Sequence, residues 1–253
     1  MSHLKTLVNG YSGSGKSYFA LSHPKVAWLI TEPGTDVLLD LHPELKKNVV
    51  WKEEFIPSKT EDIKAVFERL DAATTRAQKE AAEGVIETLV LDNITFLSEN
   101  RWLWINKYDK QIAKNGEVDT RGMYGSLGRW LYQFTLLDII SFKGNVVITC
   151  HEMEEESLNE KGVATATGNV IPNIIGGFRE KVEGMLSASI YLDKRRVGPD
   201  KYEYWARCQK GAGRNAKNRF GLPEILQNIS YQTIMESIQK NSNKTSQIKE
   251  TVK

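Results

Sequence analysis

The sequence predicts an α/β fold in which a mostly parallel sheet carries helices on both faces and an antiparallel hairpin at one edge. Short apolar runs alternate with segments of helical period along most of the 253 residues, which is typical of βαβ units. Several of these runs are apolar throughout, as strands buried on both faces are. Two later runs are separated only by a turn, so we expect them to pair as the hairpin.

The individual elements follow from the same patterns. We expect strands at 4–8, 26–31, 49–51, 85–91 and 146–149, and helices at 16–22, 63–83, 94–113, 127–140 and 178–185. The hairpin combines runs 188–192 and 202–208. Polar, glycine-containing residues predict loops at 114–125 and in the Glu-rich stretch that begins at Glu152. We expect one domain over residues 1–240 and a disordered tail over 241–253, because the tail is polar and lacks a period.

The composition excludes several classes of protein. The 34 Lys+Arg and 32 Asp+Glu residues leave a net charge of +2, which indicates no particular partner. Cys150 and Cys208 are too few for a disulfide framework or a four-ligand zinc site, and we expect two reduced thiols. No apolar stretch approaches the ~20 residues that span a bilayer, and no segment resembling a secretion signal precedes the first strand. We therefore expect a cytoplasmic protein that does not contact membranes.

The clearest motif lies between the first strand and the first helix. Residues 10–17 read GYSGSGKS and match the pattern GxxxxGK[ST] in the strand–turn–helix setting that supports it. Its glycines let the backbone curl so that N–H groups point at a phosphate. Lys16 then reaches the β- and γ-phosphates, and Ser17 offers its hydroxyl to Mg²⁺. The predicted ATP-binding residues are Gly10, Tyr11, Ser12, Gly13, Ser14, Gly15, Lys16, Ser17 and Tyr18.

Acidic residues at the ends of two other strands complete the predicted site. Asp92 ends an apolar strand and is the expected Mg²⁺ partner, although a helix-capping role suits the same position. Asn93 follows it, where a second acid would activate the attacking water. We therefore assign the general base to Glu32, because the ends of neighbouring parallel strands face the same ligand. The alternative for Glu32 is an exposed glutamate in the turn before Pro33.

His151 follows the strand at 146–149 and belongs to the same predicted edge. An imidazole at this point could hydrogen-bond the γ-phosphate and report hydrolysis to the loop that follows. The alternative is a histidine with a purely structural role. The other histidines show no spacing typical of metal ligands.

These residues resemble the RecA/RadA-type core ATPases in the order of phosphate loop, Glu-ending strand, Asp-ending strand and polar sensor residue. The string Lys217-Asn218-Arg219-Phe220-Gly221 is similar to the KNRFG string of bacterial RadA proteins. The chain looks most like small phage-encoded RecA-type ATPases of single-strand annealing and recombination. The likeness covers roughly the first 230 residues in element order, but only the phosphate loop and KNRFG are sharp motifs.

The resemblance implies a ring or filament with ATP between subunits, in which Lys217 and Arg219 act on the neighbour's γ-phosphate. A planar guanidinium suits charge on a transferring phosphoryl group. The alternative for both residues is a solvated basic turn after the edge strand, ended by Pro223. The segment 194–219 has nine basic and two acidic residues, a charge of +7 that attracts phosphate. The location would be the host cytoplasm if the gene is carried by a phage.

Two departures from RecA affect the expected function. His151 stands where RecA has glutamine, and the following acidic run (Glu152, Glu154, Glu155, Glu156 and Glu160) would repel DNA.

A better candidate for contact with single-stranded DNA is the stretch 107–130, although a solvated helix end with core aromatics fits it equally well. Its cations and rings are Lys107, Lys110, Lys114, Arg121, Arg129, Tyr108, Tyr124 and Trp130.

The sequence predicts an oligomeric Mg²⁺-dependent ATPase, stimulated by single-stranded DNA, that acts in recombination or replication. A single-strand-binding protein or a helicase is a further possible partner. Two alternatives remain open: a small-molecule kinase, which shares the phosphate loop, and a loader or partner module of a replicative helicase with little turnover.

Overall fold

A mixed β-sheet of nine strands forms the framework of the described part of the protein. The computed structural model describes residues 3–158, 162–199 and 201–251. In chain order the strands are β1 (Lys5–Asn9), β2 (Val26–Ile30), β3 (Val49–Glu54), β4 (Thr88–Asp92), β5 (Asn145–Cys150), β6 (Glu152–Leu158), β7 (Ala164–Pro172), β8 (Ala188–Arg196), β9 (Tyr202–Arg207), β10 (Lys217–Asn218) and β11 (Ile225–Gln227).

The helices lie between these strands. They are α1 (Lys16–Leu21), α2 (Leu38–Leu41), α3 (Ile63–Ala82), α4 (Ile94–Tyr108), α5 (Thr120–Gln133), α6 (Arg179–Met185) and α7 (Tyr231–Thr251). Short 3₁₀ turns flank α2, and a π-helical stretch, Phe134–Ile140, continues α5. Side-chain caps fix several starts: Asp62, Asn93 and Asp119 accept backbone N–H bonds at the beginnings of α3, α4 and α5.

The centre of the sheet is parallel, with the order β3-β2-β4-β5-β1-β8. Every residue of β2, β4 and β5 is buried, because helices cover both faces. Side chains alternate between the faces: Leu29 joins the core under α3, α4 and α5, whereas Trp28 joins the core under α1 and α7. The predicted fold class is thus confirmed.

The antiparallel edge beside β8 is also confirmed. β8 pairs with β9 from Tyr191↔Arg207 to Arg196↔Tyr202, and β9 pairs with β11. The short strand β10 pairs with the beginning of β8. The parallel part of the sheet therefore ends in a small antiparallel extension.

The Glu-rich stretch after residue 151 is a hairpin and not the loop that its composition indicated. β6 and β7 pair with each other in a separate two-stranded sheet. Glu155 accepts bonds of 2.9 Å from both Thr167 and Asn169 on the opposite strand. These cross-strand bonds, and the β-branched residues of β7, offset the poor strand propensity of the glutamates.

The loop predicted at 114–125 is wrong in its second half. α5 begins at Thr120, where the carboxylate of Asp119 accepts a 2.9 Å bond from the Gly122 N–H. Its glycines are typical of loops, so the sequence pattern did not indicate a helix here. Conversely, α4 ends at Tyr108, earlier than the period indicated.

The expected tail is described as far as Thr251, and its backbone continues α7 as helix. Residues 241–251 contain neither proline nor glycine that would end a helix. Residues 252–253, like Glu160 of the acidic run, lie outside the described residues. The division into a domain over 1–240 and a tail stays a prediction.

Both cysteines are free and buried. Burial raises the pKa of each thiol to about 12, so neither is a reactive thiolate at neutral pH.

The described helices include none with the length and apolar character that a membrane crossing requires.

Candidate functional site

The carboxyl ends of the parallel strands bring the predicted site together at one edge of the sheet. The register places Asn9 level with Cys150, and Ile30 level with Asp92. The phosphate loop at 10–17, Glu32, Asp92 and His151 all follow from these strand ends. The sheet therefore assembles side chains that are up to 141 positions apart in the sequence.

Lys16 lies inside the phosphate loop. Its side chain is buried, and its ammonium donates to the carbonyl oxygens of Gly10 at 2.9 Å and Tyr11 at 2.8 Å. Burial lowers the pKa of Lys16, an effect that the charges of Glu32 and Asp92 partly oppose. The hydroxyl of Ser14 is also buried here and has no partner among the described residues. A phosphate oxygen suits both groups, since each can donate a hydrogen bond to it.

Two glycines of the loop have conformations or surroundings that other residues would not tolerate. Gly13 and Gly15 have φ values of +76° and +91°, which residues with a Cβ rarely adopt. A Cβ at Gly15 would also come within 2.8 Å of the Tyr204 ring. Tyr204, from β9, packs against the loop from the antiparallel edge, a contact that sequence reasoning missed.

Asp92 is fully buried next to Ser17. Burial raises the pKa of this carboxyl, and hydrogen bonds from Thr149 and Ser17 and the charge of Lys16 oppose the rise only in part. The indole N–H of Trp28 donates to the second carboxylate oxygen at 3.3 Å. Thr149 and Trp28 thus hold the carboxylate from two neighbouring strands. Neither residue was predicted, but Thr149 could have been found as a polar residue near a strand end.

Ser17 and Asp92 are suitable residues for Mg²⁺. A hydroxyl and a carboxylate oxygen are hard donors of the kind that this ion prefers. Within the described ranges no group of three or more His, Cys, Asp or Glu side chains could hold a metal. An ion here would therefore complete its shell with phosphate oxygens and water, as Mg²⁺ commonly does.

Glu32 is held by two neighbours. Its two carboxylate oxygens each lie 3.2 Å from His151 Nε2, and the side-chain amide of Asn93 donates to Oε2. Burial alone would raise the pKa of Glu32, but the contact with His151 and the charge of Lys16 bring it below the ordinary value. Glu32 is thus a carboxylate at neutral pH, close to Lys16 and Asp92, and can accept a proton.

Asn93 has a position that the sequence did not reveal. Its Oδ1 accepts the Phe96 N–H at 3.0 Å at the start of α4, while its amide nitrogen faces Glu32. The helix cap therefore fixes the orientation of the amide. Asn93 thus links the start of α4 to the carboxylate of Glu32.

A cavity of about 930 Å³ extends from the phosphate loop, within the size range of small-ligand sites. Glu32 and His151 line one side. Leu38, Leu41 and His42 line another, and Tyr18 meets His42 edge-on at 4.9 Å between ring centres. The lining of the cavity thus combines the polar groups at the phosphate loop with apolar and aromatic side chains.

A family model described as an AAA domain matches residues 2–220. The chain belongs to this AAA domain family. The family consists of P-loop ATPase domains and implies nucleotide binding, typically with Mg²⁺. The phosphate loop, Asp92 and Glu32 all lie within the matched part of this AAA domain.

Two solved structures resemble the AAA domain at low identity. One is a prototypical ATPase from the type III secretion system of pathogenic bacteria (17% identity, TM-score 0.45, 75% of this chain and 51% of that chain). The other is the assembled ATPase EscN from the type III secretion system of enteropathogenic E. coli (17% identity, TM-score 0.44, 75% and 43%). The match with this chain thus covers about half the length of these proteins. A search of curated proteins found no match.

Lys217 and Arg219 do not lie at the phosphate loop of their own AAA domain. Lys217 pairs with Ser189, and the Arg219 N–H donates to Ser187 O at 3.0 Å. This is the amino end of β8, three residues (about 10 Å) before the position level with Asn9. Burial lowers the pKa of Lys217, and the charge of Arg219 adds to the effect.

In the stretch 107–130, which is the candidate for contact with DNA, several of the expected side chains are engaged in contacts within the protein. Lys107 forms a 2.9 Å ion pair with Asp62, and Tyr124 stacks on Trp102 at 4.5 Å. Trp130 is half-buried, packs against the core and stacks on Phe134, which fits the alternative of a core aromatic at this position. The remaining exposed members are Tyr108, Lys110, Lys114, Arg121, Tyr124 and Arg129.

The acidic run is partly neutralised within the AAA domain. Arg214 forms a 2.9 Å ion pair with Glu152, and Glu155 is bonded across the hairpin. Glu154 and Glu156 remain exposed, and they still disfavour DNA at this hairpin.

Proposed function

We propose that this AAA domain hydrolyses ATP, with Lys16 and the loop amides on the phosphates and Glu32 as the general base. The observation that supports this most strongly is the carboxylate of Glu32, which His151 and Asn93 orient beside Lys16 and Asp92. Ser17 and Asp92 would hold Mg²⁺, which when bound offsets the negative charge of the phosphates. We place the protein in the cytoplasm.

In the proposed reaction, a water oxygen bonds to the γ-phosphorus while the bond between that phosphorus and the β,γ-bridging oxygen breaks. ADP leaves with the electron pair, and Glu32 accepts a proton from the water. His151 contacts both oxygens of this carboxylate and directly precedes β6. A proton on Glu32 weakens its contact with His151, so the hairpin β6–β7 is the segment that would sense hydrolysis.

We further propose that the protein works as a ring or filament in which Lys217 and Arg219 reach the γ-phosphate of a neighbour. The support is their place at the amino end of β8, away from the position level with the end of β1, where their own phosphate loop begins. A guanidinium supplied between subunits stabilises phosphoryl charge, and such groups contribute ~10³–10⁵ in rate in other NTPases.

The proposed task is the handling of single-stranded DNA in recombination or replication, as the resemblance to small phage RecA-type ATPases implies. The exposed cations and tyrosines of the stretch 108–129 support this, since backbone charge and base stacking suit single strands. A single-strand-binding protein or a helicase would be a partner in that task.

The test is ATP turnover with and without single-stranded DNA at two salt concentrations. We expect DNA to raise the rate several-fold at low salt and less at high salt, because phosphate contacts weaken as salt rises. The Arg121→Ala variant should reduce this stimulation and leave the rate without DNA unchanged, whereas Lys59→Ala, an exposed lysine before α3, is the matched control.

Other outcomes of that test would reject the DNA function. A rate that DNA leaves unchanged contradicts it. Negligible turnover together with a stable helicase complex would select the loader, and stimulation by a metabolite would select the kinase.

A further inference from the structure

Glu183 is a buried carboxylate outside the nucleotide site. It lies on α6 with 8% of its surface exposed. Three groups donate to it: the Ser189 hydroxyl at 2.9 Å, the Tyr191 hydroxyl at 3.0 Å and the Asn215 amide at 3.0 Å. No ion pair to Glu183 occurs in the described part of the chain. Burying a carboxylate without an ion-pair partner costs free energy, and these three hydrogen bonds offset that cost.

One branch of this network reaches the phosphate loop. The Ser189 hydroxyl, which donates to Glu183, accepts a 3.1 Å bond from the Asn9 amide. Asn9 is the last residue of β1 and directly precedes Gly10. A hydroxyl has a single proton, so the bond to Glu183 orients Ser189 to accept from Asn9. Glu183 is thereby linked to the root of the loop.

The other branch reaches the basic segment 215–219. Asn215 lies two residues before Lys217, which pairs with Ser189 through the backbone. The charge of Glu183 also acts on Lys217, raising its pKa against the larger effects of burial and Arg219. Burial, followed by the charge of Glu183, raises the pKa of Tyr191, so its hydroxyl keeps the proton that it donates. Glu183 therefore holds the start of segment 215–219 against β8.

We propose that Glu183 is a positioning residue that fixes segment 215–219 on β8 and so sets the geometry in which Lys217 and Arg219 are presented to a neighbouring subunit. This inference rests on the proposed action of Lys217 and Arg219 between subunits. Loss of the carboxylate releases Asn215 and leaves the Glu32 site of the same chain assembled, because Glu183 contacts none of Lys16, Glu32 or Asp92.

The experiment mixes two inactive variants. The Glu32→Gln chain keeps Lys217 and Arg219 but lacks the base, and the Arg219→Ala chain keeps the base but lacks the guanidinium. In the mixture, turnover is restored at the interfaces where Arg219 of a Glu32→Gln chain reaches the γ-phosphate of ATP bound by an Arg219→Ala chain. Glu183→Ala is then added to one chain or the other, and phosphate release is measured. With Glu183→Ala on the Glu32→Gln chain, we expect the restored rate of phosphate release to fall about tenfold. With Glu183→Ala on the Arg219→Ala chain, we expect the mixture to keep at least half of that rate.

Two controls separate positioning from a general loss of structure. Glu180→Ala removes an exposed carboxylate from the same helix and should leave the restored rate unchanged on either chain. Glu183→Gln keeps an acceptor for Ser189 and Tyr191, and a rotated Asn215 amide can accept from it, so this variant should recover most of the rate.

The outcomes distinguish the inference from the function on which it rests. An equal loss on both chains, or no loss on the Glu32→Gln chain, overturns the role of Glu183. If the two parent variants restore no turnover when mixed, action between subunits is itself wrong, and the inference is rejected with it.

Discussion

Lys16→Ala is expected to lower ATP turnover at least about a hundredfold and to weaken nucleotide binding. The ammonium is buried in the loop, and its hydrogen bonds to the described residues go to the Gly10 and Tyr11 carbonyls, which phosphate oxygens can replace as acceptors. Removal of a preorganised cation from phosphates in a water-poor site costs several kcal/mol, and about 2.7 kcal/mol corresponds to a hundredfold in rate. Steady-state phosphate release at saturating ATP measures the effect.

The matched control for this prediction is Lys64→Ala. Lys64 is exposed on α3, where its ammonium lies 3.9 Å from Glu68, a surface pair of little energetic consequence. We expect its turnover to equal that of the wild type. A Lys16→Ala protein with an unchanged rate and normal thermal unfolding would reject the phosphate-loop assignment.

Glu32→Gln is expected to reduce turnover by about 10²–10³ while ATP binding is retained. Glutamine has the shape of glutamate and still accepts from the Asn93 amide, but it cannot take a proton. Because the pKa of Glu32 lies below its ordinary value of 4.5, this carboxylate stays ionised in the wild type throughout the range pH 6–8. Its protonation should therefore not limit the wild-type rate at neutral pH. Separate measurement of kcat and of the Kd for ATP tests both parts.

Glu54→Gln serves as the control for Glu32. Glu54 is exposed at the end of β3, level with Ile30 of β2, so the same chemical change is made at the end of an adjacent strand. Its kcat should be unaffected. Normal hydrolysis by Glu32→Gln would show that the base lies elsewhere.

The parts of the site that the sequence predicted depend on local patterns. The phosphate loop is a contiguous motif between a strand and a helix, and Asp92 ends an entirely apolar run. The parallel sheet then brings strand ends to one edge, so the closeness of Glu32 and His151 follows from the predicted fold. Each of these inferences needed only neighbours in the sequence and one rule of topology.

The parts that escaped prediction are contacts between distant polar residues. Asn93 meets Glu32 across 61 positions, Thr149 meets Asp92 across 57, and Asn9 meets Ser189 across 180. Such pairs have no period, and a polar residue at a strand end reads equally well as a cap or a turn. The hairpin β6–β7 was missed for a related reason, because its stability comes from cross-strand bonds of glutamate and not from strand propensity.

The most direct test of the account is a calorimetric titration of the full chain with Mg²⁺ and a nonhydrolysable ATP analogue, in parallel with Lys16→Ala. We expect saturable heat corresponding to one site per chain in the wild type, and strongly reduced heat in the variant. The absence of binding heat in the folded wild type over a range of temperatures, or equal affinity in both proteins, would contradict nucleotide binding at residues 10–17.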